Sequence, residues 1–214
     1  MKGNVLKLRK GHALCMALLA IAAAGTLLLK APLWAQEDPV DPCHFEGRHV
    51  GWFASLGTFS LASTEDIEAI VGESSLDREG KAVKPIQIRG MAGRGRATGI
   101  GETVYWLDTS RPVASGIRAK LRGQEFPAVH EMGFHLFLTT EALPGQIFRS
   151  INPAVMVNNN SMSFPPKPGS RYVLKNVVEF EDVNDPGFVV ARIVSNHNQY
   201  LGSGRLGISR RHEN

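Results

Sequence analysis

From residue 48 to residue 201 the apolar positions recur mostly with a period of two. "RYVLKNVVEFEDV" sets Tyr172, Leu174, Asn176, Val178 and Phe180 on one face. "GFVVARIV" sets Val189, Ala191 and Ile193 against Val190, Arg192 and Val194. "KPIQIRG" alternates Ile86 and Ile88 with polar neighbours, while "ETVYWLD" and "GWFASLGTFSL" carry aromatic and β-branched residues beside glycine. Alternation bounded by Gly, Pro and Asn clusters predicts half-buried strands. Roughly seven to nine of them predict an all-β domain, an antiparallel β-sandwich, with a closed β-barrel as the alternative. At most one short helix is expected, near 64–71, where Ser63 or Thr64 caps and Ile67, Ile70 and Val71 fall at helical spacing. The repeated amphipathic helices of a parallel α/β fold are missing. Asp185-Pro186-Gly187 is turn chemistry and predicts a hairpin between strands near 172–183 and 188–195.

The stretch "AVHEMGFHLF" tests whether the pattern hides chemistry. His130-Glu131 and His135 resemble a zinc-hydrolase motif, but that motif needs histidines at i and i+4 of a helix. Here the spacing is i and i+5. On a helix this turns the second ring by about 140°. On a strand it sends the rings to opposite faces, with backbones about 16 Å apart. Met132, Phe134, Leu136 and Leu138 form one apolar face. The stretch therefore reads as a core strand entering at Pro127 and leaving before Pro144-Gly145. His130 is expected on the apolar-face side and His135 on the opposite face, beside Phe137. A metal at either would need partners from other strands.

Composition changes the picture only through the first 35 residues. Lys2, Lys7, Arg9 and Lys10 precede an apolar run from Ala13 to Leu29, and Ala35 supplies a small residue before Gln36. This is the pattern of an export signal, 1–35, with an uncleaved membrane anchor as the alternative. The chain carries a formal charge of +4, from 24 basic and 20 acidic residues. The leader holds five of those basic residues and no acid, so the remainder stands at 19 against 20. A nucleic-acid partner is therefore not expected, and membrane contact is expected only through an uncleaved leader. The local clusters Arg89, Arg94, Arg96 and Arg205, Arg210, Arg211 read as solvated surface. Segment 36–47 is expected to be irregular, 48–201 a single domain, and 202–214 a flexible tail. Beyond the leader Cys43 is alone, leaving no internal disulfide; pairing between chains is the remaining possibility.

The remaining motifs are incomplete. In "DVNDPG", Asp182 and Asn184 fit the first calcium-loop positions, but Pro186 and Ile193 stand where further ligands belong. A plain hairpin turn is the simpler reading, and a looser cation site there is the alternative. "GRGRATGIG" fails the dinucleotide fingerprint at Thr98 and Val104 and reads as a loop or bulge; "EGKA" fails the phosphate loop at Ala82. No Gly-x-Ser-x-Gly elbow follows the leader. "CHFEGRH" offers His44 and His49 as metal ligands on an irregular segment. Trp52, Phe53, Tyr105 and Trp106 are candidate ligand-binding aromatics, with the qualification that neighbours on a strand point to opposite faces.

Two stretches, "TSRPVASGIRAKLRGQEFPAVHEMGFHLFLTT" and "IFRSINPAVMVNNNSMSFPPKPGSRYVL", resemble segments of secreted bacterial β-rich proteins. The resemblance spans roughly residues 103–195 and rests on the order Arg-Pro, Phe-Pro, Asn-Pro, Pro-Pro with strands between. It implies a β-fold and export, and no activity. The expectation is an exported, non-enzymatic binding or scaffolding protein for an extracytoplasmic ligand or protein, without a cofactor. The alternative is an exported metal-binding protein or metal-dependent hydrolase, using histidines from different strands. The metal candidates are His44, His49, His130, His135, Asp182 and Asn184.

Overall fold

The computed structural model describes residues 42–203. The expected leader, residues 36–41 and the tail beyond 203 lie outside the described residues. The alternating segments form β1 (Cys43–Phe53), β2 (Gly57–Val71), β3 (Ser75–Leu76), β4 (Lys81–Ala97), β5 (Gly101–Leu107), β6 (Ser115–Arg122) and β7 (Ala128–Phe134). They continue as β8 (Leu136–Thr140), β9 (Phe148–Ser150), β10 (Ala154–Ser161), β11 (Arg171–Leu174), β12 (Val178–Asp182) and β13 (Ala191–Ser203). No helix is found among the described residues.

The pairings form one antiparallel sheet, ordered β1-β2-β4-β5-β8-β9-β12-β13, and β13 pairs back with β1. A second path leaves β13 through β11, β10, β7 and β6 and rejoins β4. Opposed walls pack around a core, as in the expected antiparallel sandwich, and the pairing of β13 with β1 joins the two ends of the first path.

The two paths exist because wall strands are interrupted, and at three of the breaks polar side chains replace ladder bonds. Only His135 separates β7 from β8. There Gly133 N donates to Ser115 Oγ (2.8 Å) and Leu136 N donates to Ser150 Oγ (2.9 Å). Asn152 Oδ1 accepts from Glu179 N (2.9 Å) and Asn176 Oδ1 from Val155 N (3.2 Å), holding the breaks between β9 and β10 and between β11 and β12. Each buried N–H keeps a partner while the wall bends.

Several expectations are met at residue level. Met132, Phe134, Leu136 and Leu138 all enter the core. Trp52 points outward at 37% exposure while Phe53 is buried. The hairpin pairs Val178 with Ile193 and Phe180 with Ala191, and Gly187 supplies the positive φ (104°) of its turn.

Three expectations are corrected. Residues 64–71 are strand, because the partners are in the sheet: Ser63, Glu65 and Ile67 continue the inward series of Phe59 and Leu61, with Thr64, Asp66 and Glu68 outward. Residues 64–67 are paired with both β1 and β4, and residues 68–71 with β4, so the segment gains more from sheet packing than from its helical spacing. The segment 36–47 is not irregular throughout, since β1 begins at Cys43. That cysteine is half-buried against the core, and burial raises its thiol pKa, which disfavours the reactive thiolate. Most of "GRGRATGIG" is also strand, with a turn only at 98–100.

Candidate interior site

The inward faces of β1, β2, β5 and β13 do not carry apolar residues throughout. Midway along the wall they place His49, Ser63, Glu65, Tyr105, Asn196 and Asn198 together, all buried. Strict alternation along β13 would not do this. Ala191 and Ile193 point inward, but the register with β1 slips by one residue between Ile193 and Ser195. This bulge leaves Val194 unmatched and exposed and turns Asn196, Asn198 and Tyr200 inward.

Glu65, 1% exposed, is the hub. Its Oε2 accepts from Asn198 Nδ2 (2.5 Å), and its Oε1 accepts from Tyr105 OH (2.8 Å). His49 Nε2 lies 2.9 Å from Oε1, 2.8 Å from Ser63 Oγ and 3.0 Å from Tyr105 OH. A carboxylate oxygen can only accept, so Nε2 is the protonated ring nitrogen in the bond to Glu65. Burial, and next the Glu65 carboxylate, hold the Tyr105 phenol well above its ordinary pKa of 10.0. It therefore remains a donor. Burying a carboxylate costs several kcal/mol unless its lone pairs are filled, and here Asn198, Tyr105 and His49 fill them at close range, with Ser63 Oγ donating at 3.3 Å.

Glycines open the space that this cluster occupies. A Cβ on Gly93 would lie 2.3 Å from the Tyr105 ring, and one on Gly47 2.0 Å from Asn198 Oδ1. The glycines of "GRGRATGIG" thus serve side-chain packing.

Beside the cluster is a cavity of about 30 Å³, lined by His49, Glu65, Tyr105 and Asn196 on one side. The rest of its lining is apolar and includes Met91, Phe134, Leu138, Ala154 and Met156. Two polar atoms of the lining residues have no hydrogen-bond partner among the described residues: His49 Nδ1 and Asn196 Oδ1.

The other expected site residues are dispersed. His44 Nδ1 lies 2.5 Å from Asp66 Oδ1. His130 Nδ1 lies 2.6 Å from Tyr172 OH, and burial lowers its pKa from 6.5 to about 4. His135 Nδ1 lies 3.1 Å from Ser150 Oγ, and burial, then Arg111, lower its pKa. Asp182 Oδ1 accepts from Asn184 N (2.8 Å), the local bond of a turn. Among the described residues no group of three or more His, Cys, Asp or Glu is placed to hold a metal ion. The histidines proposed to converge do not. Trp52 and Trp106 face outward, Trp106 stacking on Phe137 at 5.6 Å, whereas Tyr105 is enclosed and cannot serve an outer binding face. Of the expected residues, His49 and Tyr105 meet in the interior. Glu65, Ser63, Asn196 and Asn198 were missed. The signal available for Glu65 was an acid in phase with Phe59, Leu61 and Ile67.

No protein-family model matches the chain, and no curated protein matches it. Among solved structures it is similar to that of DynF from the dynemicin biosynthesis pathway of Micromonospora chersina. The TM-score is 0.68 at 18% identity, covering 81% of this chain and 85% of that one. At this identity the likeness concerns the fold.

Proposed function

We propose that this is an exported, non-enzymatic binding protein whose closed sheet takes a small, mainly apolar molecule into its interior. The polar end of the ligand meets His49, Glu65, Tyr105 and Asn196. One observation carries this reading: an enclosed apolar cavity with a single polar pole, two atoms of which have no hydrogen-bond partner among the described residues. Ligand sites in closed sheets combine an apolar wall with a few placed polar groups. The cavity of about 30 Å³ matches the volume of one water molecule, so a larger guest displaces side chains. Met91 and Met156 line it, and unbranched thioethers rearrange at low cost. The basic start, apolar run and small-residue end of the leader support export.

Titration with N-phenyl-1-naphthylamine, an apolar fluorophore, tests the reading. Saturable one-to-one binding is expected. Ala154→Phe, which fills the cavity from its wall, is expected to weaken binding at least tenfold with the circular dichroism spectrum unchanged. Wild-type protein that shows no saturable binding contradicts the proposal.

A further inference from the structure

The polar pole is unbalanced in its hydrogen-bonding capacity, and the imbalance bears on the ligand. This step rests on the proposed interior site and concerns the chemistry of its guest. Glu65 presents only acceptors, and its three close partners already donate to it. The other ring nitrogen of His49, Nδ1, has no partner among the described residues and accepts a hydrogen bond when the ring carries its one proton on Nε2. Asn196 has its Nδ2 3.6 Å from Met156 Sδ, and its Oδ1 has no partner among the described residues. His49 is 4% and Asn196 6% exposed, so bulk water does not fill these lone pairs. Buried acceptors of this kind each represent a free-energy cost that a donor group removes. Among the described residues the cavity lining contains no Lys or Arg. An anionic head group would therefore be buried beside Glu65 without a cation, the costliest arrangement in a dry interior.

We infer that the interior selects apolar molecules headed by a hydrogen-bond donor, a hydroxyl or an amine, and discriminates against carboxylates of the same skeleton. A hydroxyl donates its one O–H to Asn196 Oδ1, and an amine has further N–H groups for His49 Nδ1, while the chain replaces Met91 and Met156 against the apolar wall. Discrimination then comes from polar groups that one guest fills and the other leaves unpaired, a difference that exceeds what chain length provides.

The test is a matched series of 1-decanol, decylamine and decanoate. Each is titrated below its aggregation limit at pH 7.5 against the full exported domain, by calorimetry and by displacement of N-phenyl-1-naphthylamine. Decanol, decylamine or both should bind at least tenfold more tightly than decanoate. Asn196→Ala, which removes one acceptor, should reduce that ratio at least threefold; the wild-type series decides the matter should that variant not fold. Decanoate binding as tightly as both others, or more tightly, overturns this inference and leaves the interior site standing. No binding by any of the three while N-phenyl-1-naphthylamine still binds overturns this inference alone; no binding by the fluorophore either overturns both. Tighter binding by decylamine than by decanol identifies the Glu65 charge as the main attraction; the reverse identifies neutral hydrogen bonding.

Discussion

Glu65→Ala is expected to cost about 3–5 kcal/mol of folding stability, measured by urea denaturation near neutral pH. The substitution leaves Asn198 Nδ2, Tyr105 OH and His49 Nε2 without the carboxylate that they share. A buried donor left unpaired costs about 1–3 kcal/mol, and three in one network do not add fully. The small cavity created adds to the loss. Glu65→Gln separates the contributions. It keeps the shape and one acceptor but opposes an amide N–H₂ to Asn198 or to the Tyr105–His49 pair, so an intermediate loss is expected. Were Glu65→Ala within about 1 kcal/mol of the wild type, the network would not be a structural hub. The same truncation at Glu68, on the outer face of the same strand, provides the comparison and should fall within about 0.5 kcal/mol.

Acidification should weaken the fold above the range in which carboxylates titrate, and His130 is the reason. Burial lowers its pKa from 6.5 to about 4. The unfolded chain therefore binds a proton in this window that the folded chain refuses. A depressed folded pKa means that the stabilisation is fully present above about pH 6.5 and is lost as pH falls toward 4. The full shift is worth roughly 3 kcal/mol. Burial is the cause of the shift: the ring packs against Tyr172 and Phe164, and its Nδ1 faces the Tyr172 hydroxyl. His135, also lowered, adds in the same direction but is only half-buried. Carboxylates with lowered pKa, such as Asp108 beside Ser110 and Arg111, act below this window. Urea midpoints at pH 7 and pH 5, compared between wild type and His130→Gln, isolate the effect. The wild type should lose clearly more stability on acidification than the variant. Equal losses in the two proteins would show that His130 does not supply the pH dependence.

The fold was legible where one face was uniformly apolar. Met132 to Leu138, Val178 to Phe180 and Ala191 with Ile193 sit inward as the period of two requires, and the Asp185-Pro186-Gly187 turn joins its strands as read. Legibility failed where the inward face is polar or glycine. Residues 63–67 carry Ser63 and Glu65 at inward positions, so the alternation looks broken and a helical spacing of isoleucines takes its place. Gly93 and Gly95 look like loop because nothing local shows that the Tyr105 ring and the Ala62 carbonyl occupy the space of their side chains. Asn196 and Asn198 were hidden for another reason. A bulge shifts the phase of β13, and its position depends on pairing with a strand about 150 residues earlier, at Val50 and Gly51. The site is the sum of these exceptions. His49 was visible only as a metal candidate, since its true partners come from β2 and β5. This accords with the expectation that sequence rules fail most where a fold departs from a simple apolar core.

The central claim is that the ligand enters the interior of the sheet, and methionine methyl NMR tests it most directly. Met91 and Met156 line the cavity, whereas Met162 is 58% exposed on the outside. Protein labelled with ¹³C at the methionine methyl groups is titrated with N-phenyl-1-naphthylamine. The account predicts saturable shifts of the Met91 and Met156 signals, nuclear Overhauser contacts from both to the fluorophore, and an unchanged Met162 signal. Binding that perturbs Met162 while Met91 and Met156 stay fixed would place the ligand on the outer surface and contradict the claim.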